Sequence, residues 1–132
     1  FVNWFVRKAI ENSEIKIFGQ GEALRDILYV EDAVDAIIKS SLSKKSKGKI
    51  YNVGSGKPLQ VHQIAKEIVK ICGSGKIKFV KYPEDFKKIE IGNFNSNISK
   101  IKGETGWKPK TSLQDGITKT TEFYKKNKKY YW

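Results

Sequence analysis

Long apolar runs are missing from this sequence. No stretch of about 18 apolar residues occurs, so it carries no transmembrane-helix signal. Its opening residues 1–10 hold Arg7 and Lys8 in the middle and no cleavage site, which excludes a secretory leader there. Cysteine is reduced to Cys72, set in an apolar helical pattern without a partner; a disulfide framework is excluded, and the thiol reads as a small buried hydrophobe in a reducing cytoplasm. One cysteine and the sole histidine, His62, cannot build a zinc site. His62 also lacks a legible orienting partner for base catalysis, and no G-x-S-x-G elbow supports a serine nucleophile. Arginine is scarce as well: only Arg7 and Arg25 stand among 26 basic residues.

What is present is a chain of 132 residues, enough for one small domain with a modest core. The aromatic content of 12% argues against wholesale disorder. The net charge of +12 invites a nucleic-acid reading. However, the charge comes from scattered lysines biased to the last third, and no RNP, zinc-knuckle or C₂H₂ signature accompanies them. A solvated basic surface is favoured, with steering of an anionic substrate as a further use and no nucleic-acid or membrane partner expected.

Periodicity predicts an α/β chain. Residues 1–12 read as a helix and 14–18 as a short alternating strand broken by Gly19-Gln20-Gly21. A second strand is expected over 25–30, then a helix to Leu42 with Asp32 as its N-cap and Ala33, Ala36 and Ile37 on one face. A basic loop at 43–49 leads to a strand at 49–53 and the turn Gly54-Ser55-Gly56-Lys57-Pro58. An amphipathic helix follows over 61–72, ended by Gly73. Residues 77–82 alternate as a strand, 85–94 read as loop plus short strand, 96–102 as a short helix closed by Gly103, and 112–127 as a final helix.

Gly54-Ser55-Gly56-Lys57 and Gly73-Ser74-Gly75-Lys76 look superficially like phosphate loops. The glycine needed earlier is replaced by Tyr51 or Lys70, and Pro58 or Ile77 stands where Ser or Thr is required. Both read as turns. No G-x-G-x-x-G or G-x-x-G-x-x-G is present, so nothing in the sequence lets backbone approach a dinucleotide pyrophosphate.

The run from Ile17-Phe18-Gly19-Gln20-Gly21 through Arg25-Asp26-Ile27-Leu28-Tyr29-Val30-Glu31-Asp32-Ala33 resembles a segment of the extended short-chain dehydrogenase/reductase family, in the branch of NAD-dependent nucleotide-sugar epimerases and dehydratases. Tyr51-Asn52-Val53-Gly54-Ser55-Gly56, then Ile89-Glu90-Ile91-Gly92-Asn93 with Ser99-Lys100-Ile101 and Gly106-Trp107-Lys108-Pro109, fit the same family in the same order. The resemblance spans nearly the whole chain. It covers the family's C-terminal, substrate-binding portion: residues 1–132 would form a small lobe, with the Rossmann half and its Tyr-x-x-x-Lys pair absent. Tyr124 and Lys128 have that spacing, but in a C-terminal helix where the family has no catalysis. The helical pattern at Phe1 starts without a start signal, which fits a portion of a larger enzyme.

The resemblance implies that Arg25 grips the diphosphate of a nucleotide-sugar. One of only two arginines in a lysine-rich chain, Arg25 also suggests that a planar, bidentate fork is wanted; the bland alternative is an ion pair with Asp26 or a surface charge. Phe18 would flank the base, with Lys16 and Ile17 offering backbone contacts, or else serve as a core aromatic. In the stretch Pro83 to Ile101 the family's arginine position holds Phe86, and two aspartate positions hold Asn93 and Asn97. Lys87 and Lys88 remain as cations for phosphate or ribose, and Asn97 retains the capacity to hydrogen-bond a ribose hydroxyl. No catalytic, cofactor or metal residue is expected in this chain. NAD, a nucleotide-diphosphate sugar, a cytoplasmic location and a homodimer would belong to the complete enzyme, an NDP-sugar epimerase or 4,6-dehydratase. The alternatives are a free-standing nucleotide-binding or regulatory module and a basic nucleic-acid-binding protein.

Overall fold

A computed structural model describes residues 1–132, with the Lys87 side chain outside the described set. The element order is α1 (Val2–Ile10), β1 (Glu14–Phe18), β2 (Leu24–Arg25), α2 (Val30–Leu42), a 3₁₀ turn at Lys44–Ser46, β3 (Leu59–Gln60), α3 (Val61–Cys72), β4 (Lys76–Val80), α4 (Glu84–Lys87), α5 (Ser99–Thr105), α6 (Leu113–Asn127) and a closing 3₁₀ turn. The chain is mixed α/β, as expected. It divides into two compact units, Phe1–Ala23 with Gln60–Gly92 and Ser112–Trp132, and Leu24–Leu59 with Asn93–Thr111.

The first unit is built on β1. Its alternation places Ile15 and Ile17 in the core and leaves Glu14, Lys16 and Phe18 outward. β1 pairs with β4 in parallel, from Glu14 opposite Lys76 to Phe18 opposite Val80. Lys16 stands opposite Lys78, and the Lys78 ammonium is drawn to Glu14 at 3.2 Å. Helices α1, α3 and α6 pack together and bury Phe5, Val6, Ala9, Ile64, Ala65, Ile68 and Ile117. The α3 start is fixed by a capping box in which the Gln60 N–H donates to Gln63 Oε1 at 3.0 Å. Gly21 admits no side chain: its φ is +66°, and an added Cβ would lie 2.7 Å from Ile17 Cγ2.

The second unit has a small core of Ala36, Ile101 and Trp107, against which Leu28, Tyr51 and Ile98 pack. The indole of Trp107 is fully buried, and its Nε1 donates to the Asp32 carbonyl at 3.0 Å. Asp32 is therefore no N-cap. Tyr29 holds that position without a side-chain bond, while the Asp32 carboxylate accepts the N–H groups of Lys110 (3.2 Å) and Thr111 (2.9 Å). Ala36 faces the core as expected, but Ile37 is 66% exposed, outside the buried stripe.

Five further expectations give way. The strand expected over 25–30 stops at Arg25 because the Asp26 carboxylate gathers loop N–H groups, not a ladder partner. Residues 49–53 form no strand; Lys100 Nζ reaches the Ile50 carbonyl at 3.0 Å and the Tyr51 hydroxyl reaches Glu104, so side chains anchor this segment. The short strand within 85–94 is replaced by α4, initiated after Pro83 with the Phe86 N–H on the Pro83 carbonyl at 3.1 Å. Helix α5 begins later than expected, at Ser99, whose N–H is taken by Asn97 Oδ1 at 3.0 Å. Gly103 lies within α5, and Gly106 closes it.

Candidate functional site

Arg25 ends β2, and the backbone of Leu24 just before it is held from both sides. The Leu24 N–H donates to Asn93 Oδ1 at 2.9 Å, while the Leu24 carbonyl accepts the Phe94 N–H at 3.0 Å and Arg25 Nη1 at 2.8 Å. Three anchors therefore position a half-buried guanidinium, which limits the rotamer freedom lost when it binds an oxyanion. Asn93 stands at one of the positions where the family resemblance expects aspartate; here its side chain supports the arginine's strand.

Immediately after Arg25, the Asp26 carboxylate accepts the N–H and hydroxyl of Ser55, the Gly56 N–H (3.1 Å) and the Ser96 N–H (3.0 Å). Partial burial raises its pKa, but these hydrogen bonds outweigh burial and hold it below the ordinary carboxylate value. Gly54 lies so close that an added Cβ would sit 2.5 Å from Ser96 Cβ and 2.6 Å from Asp26 Oδ2. Asp26 thus fixes the Gly54-Ser55-Gly56 turn and the residue before Asn97. Asn97 itself is exposed, and its Oδ1 accepts the Ser99 N–H at the start of α5.

In the first unit, Phe18 is 36% exposed and packs against Tyr82 and Phe86, with ring centroids 5.4 Å from each. It is neither a core residue nor an isolated surface ring. Lys16 lies on the same outward face of β1, two residues away, and Ile17 points into the core. Lys88 follows α4 and is exposed. Lys87 lies outside the described residues. His62 has a structural role, with Nδ1 3.2 Å from the Gly21 carbonyl.

A family model described as GDP-mannose 4,6 dehydratase matches residues 2–120. The chain belongs to this family. Its members among the relatives are NAD-dependent nucleotide-sugar epimerases and dehydratases of the extended short-chain dehydrogenase/reductase group. The dTDP-D-glucose 4,6-dehydratase of Mus musculus is 33% identical over 128 residues, covering 93% of this chain and 35% of that enzyme. The structure of UDP-glucose 4-epimerase from Thermotoga maritima with UDP-glucose superposes with a TM-score of 0.84 at 27% identity, over 96% of this chain and 39% of that one. A dTDP-glucose 4,6-dehydratase from Bacillus anthracis, in complex with NAD, gives a TM-score of 0.81 at 26% identity, over 99% and 40%. The chain therefore spans well under half the length of these relatives.

The relative from Bacillus anthracis holds NAD, and this chain has two glycine turns, Gly54–Gly56 and Gly73–Gly75. Neither turn fits a dinucleotide. The N–H groups of Ser55 and Gly56 are already committed to the Asp26 carboxylate and so are not offered to a pyrophosphate. In the other turn the Gly73 N–H closes α3 on the Val69 carbonyl, the Gly75 N–H donates to Asn12 Oδ1, and Ser74 Oγ donates to the Ala9 carbonyl. Among the described residues, no group of three or more His, Cys, Asp or Glu is placed to hold a metal ion, and no helix is long and apolar enough to cross a membrane.

Sequence reasoning missed Asn93 and Asp26 as supports of Arg25. Asp26 was visible only as a neighbouring charge, whereas its partners lie about 30 and 70 residues away along the chain.

Proposed function

We propose that the complete protein is an NAD-dependent epimerase or 4,6-dehydratase acting on a nucleotide-diphosphate sugar, and that these 132 residues hold the nucleotide diphosphate. The observation that carries this reading is Arg25: a half-buried guanidinium on a strand end anchored by Asn93, Phe94 and Leu24, next to the Asp26-held turn. Such a fork matches two phosphate oxygens bidentately, which an ammonium cannot do. Phe18 takes the base, with the main chain of Lys16 and Ile17 beside it. Lys88, and Lys87 with it, add positive charge for the phosphates, and Asn97 serves the ribose hydroxyls.

In this reading the hydride chemistry and the NAD belong to a Rossmann half outside residues 1–132, which the commitment of both glycine turns to contacts within this chain supports. This stretch by itself is then a binding portion without catalysis. A cytoplasmic location and a homodimer of the complete enzyme complete the reading.

Calorimetric titration of the full-length protein with UDP and dTDP tests it. Arg25→Ala weakens binding by about 1.5–3 kcal/mol, the usual contribution of a hydrogen bond to a charged group. Arg25→Lys recovers only part, since one ammonium replaces a fork. Unchanged affinity in a folded Arg25→Ala protein would reduce Arg25 to a structural residue and sink the reading.

A further inference from the structure

Phe86 stands where the family resemblance places an arginine, and the structure shows what the ring does there. Its centroid lies 5.4 Å from that of Phe18 with the planes tilted by 51°, and 49% of the residue is exposed. Tyr82 flanks Phe18 at the same distance and tilt, and its hydroxyl donates to the Glu90 carboxylate, which fixes that ring. Phe18 itself is mounted on the last residue of β1, paired with Val80. The result is a group of three rings, Phe18 on the end of β1, Tyr82 just after β4 and Phe86 in α4, with Phe18 and Phe86 partly open to water.

We propose that Phe86 and Phe18 together form a stacking face for the nucleobase, so that this protein reads its nucleotide through ring contact at a position where an arginine would have read phosphate. The inference rests on the nucleotide-diphosphate reading above and deepens it. Three physical points carry it. Partly exposed aromatic rings that already pack on one another gain from a planar partner, because stacking removes apolar area and orders only side chains of two χ angles. The outward face of β1 also carries Lys16, two residues from Phe18, so a flat ring and a cation lie on one surface, which suits a ligand that joins a base to phosphate. Finally, replacing a cation by phenylalanine removes a phosphate partner and adds ring area, which shifts selectivity from the diphosphate towards the base.

The test uses the full-length protein, with UDP, dTDP, ADP and GDP titrated directly and pyrophosphate measured by displacement of the tightest nucleotide. Phe86 lies in a four-residue helix, so its truncation leaves the core intact, which a thermal melt checks. Phe86→Ala is expected to weaken the tightest nucleotide about tenfold while leaving pyrophosphate within about twofold. Phe86→Trp keeps or tightens nucleotide binding, and Phe86→Leu falls between. Arg25→Ala weakens both nucleotide and pyrophosphate. If Phe86→Ala leaves nucleotide affinity within twofold, or weakens pyrophosphate equally, while Arg25→Ala still weakens both, stacking by Phe86 is wrong and the diphosphate reading stands. If no nucleotide binds, or Arg25→Ala changes nothing, the diphosphate reading fails and the base face with it.

Discussion

The backbone N–H of Ser96 donates to the Asp26 carboxylate at 3.0 Å, joining two loops 70 residues apart in the chain. The same carboxylate holds Ser55 and Gly56, so one side chain organises three backbone segments around Arg25. Asp26→Ala leaves these donors without their acceptor, and water reaches only some of them. The expected loss of stability is about 2–4 kcal/mol, read from urea unfolding. A loss below about 0.5 kcal/mol would mean that the loops hold their shape without Asp26.

Glycine substitutions separate close packing from simple propensity. At Gly54 an added Cβ would press on Ser96 Cβ and Asp26 Oδ2, neither of which can retreat without breaking the Asp26 network. Gly54→Ala should therefore cost about 2 kcal/mol or more. Gly103 lies inside α5 with nothing within 4 Å of an added Cβ. Gly103→Ala should stabilise by about 0.5–1 kcal/mol through helix propensity alone. Paired melting curves decide the matter, and a stabilised Gly54→Ala protein would contradict the packing described here.

The contrast between legible and illegible parts follows from range. Helix α3, the alternation of β1 and the strand β4 were readable because period and breaker residues act within a few positions, as with Ile15 and Ile17 against Lys16. Residues 49–53 misled because an apolar run specifies burial, whereas a strand requires a partner ladder; Ile50 is in fact 86% exposed. Asp32 misled for a related reason. Its position looked like a cap, yet its acceptors were claimed by Lys110 and Thr111, nearly 80 residues later. At the site, Arg25 stood out by composition, while its supports at Asn93 and Asp26 depend on loops that sequence periodicity does not describe.

Trp107 gives a separate handle on the second unit. It is wholly buried in the cluster with Ala36 and Ile101, and its indole N–H is satisfied by the Asp32 carbonyl. Trp107→Phe keeps most of the volume but removes the hydrogen bond, for an expected loss of about 1–2 kcal/mol. Trp107→Ala opens a cavity and should cost about 3–5 kcal/mol. Fluorescence reports the same residue: of the three tryptophans, Trp4 is half exposed, Trp132 partly buried and Trp107 fully buried, so the Phe variant should lose the bluest part of the emission band. Equal stability of the two variants would show that the cluster collapses around the missing ring.

Acid sensitivity follows from Asp26 and Asp32 together. Burial raises both carboxyls, yet hydrogen bonds from Ser55, Ser96 and Gly56 to Asp26, and from Thr111 and Lys110 to Asp32, more than reverse it, and both end below the ordinary value of 3.8. A carboxyl depressed in the folded state contributes stability that is present above its unfolded pKa and lost as pH falls through its folded one. Stability should therefore be flat above about pH 5 and decline below about pH 4, as measured by urea midpoints between pH 6.5 and pH 3. The double variant Asp26→Asn/Asp32→Asn has no proton to take up at these sites. It should be less stable at pH 6.5, because each amide turns an N–H towards backbone donors, and its decline into acid should be shallower. Some slope remains, since Arg7 holds Glu11 low and Tyr51 does the same for Glu104. If the double variant loses as much stability between pH 6.5 and pH 3 as the parent, the acid response originates in other carboxylates.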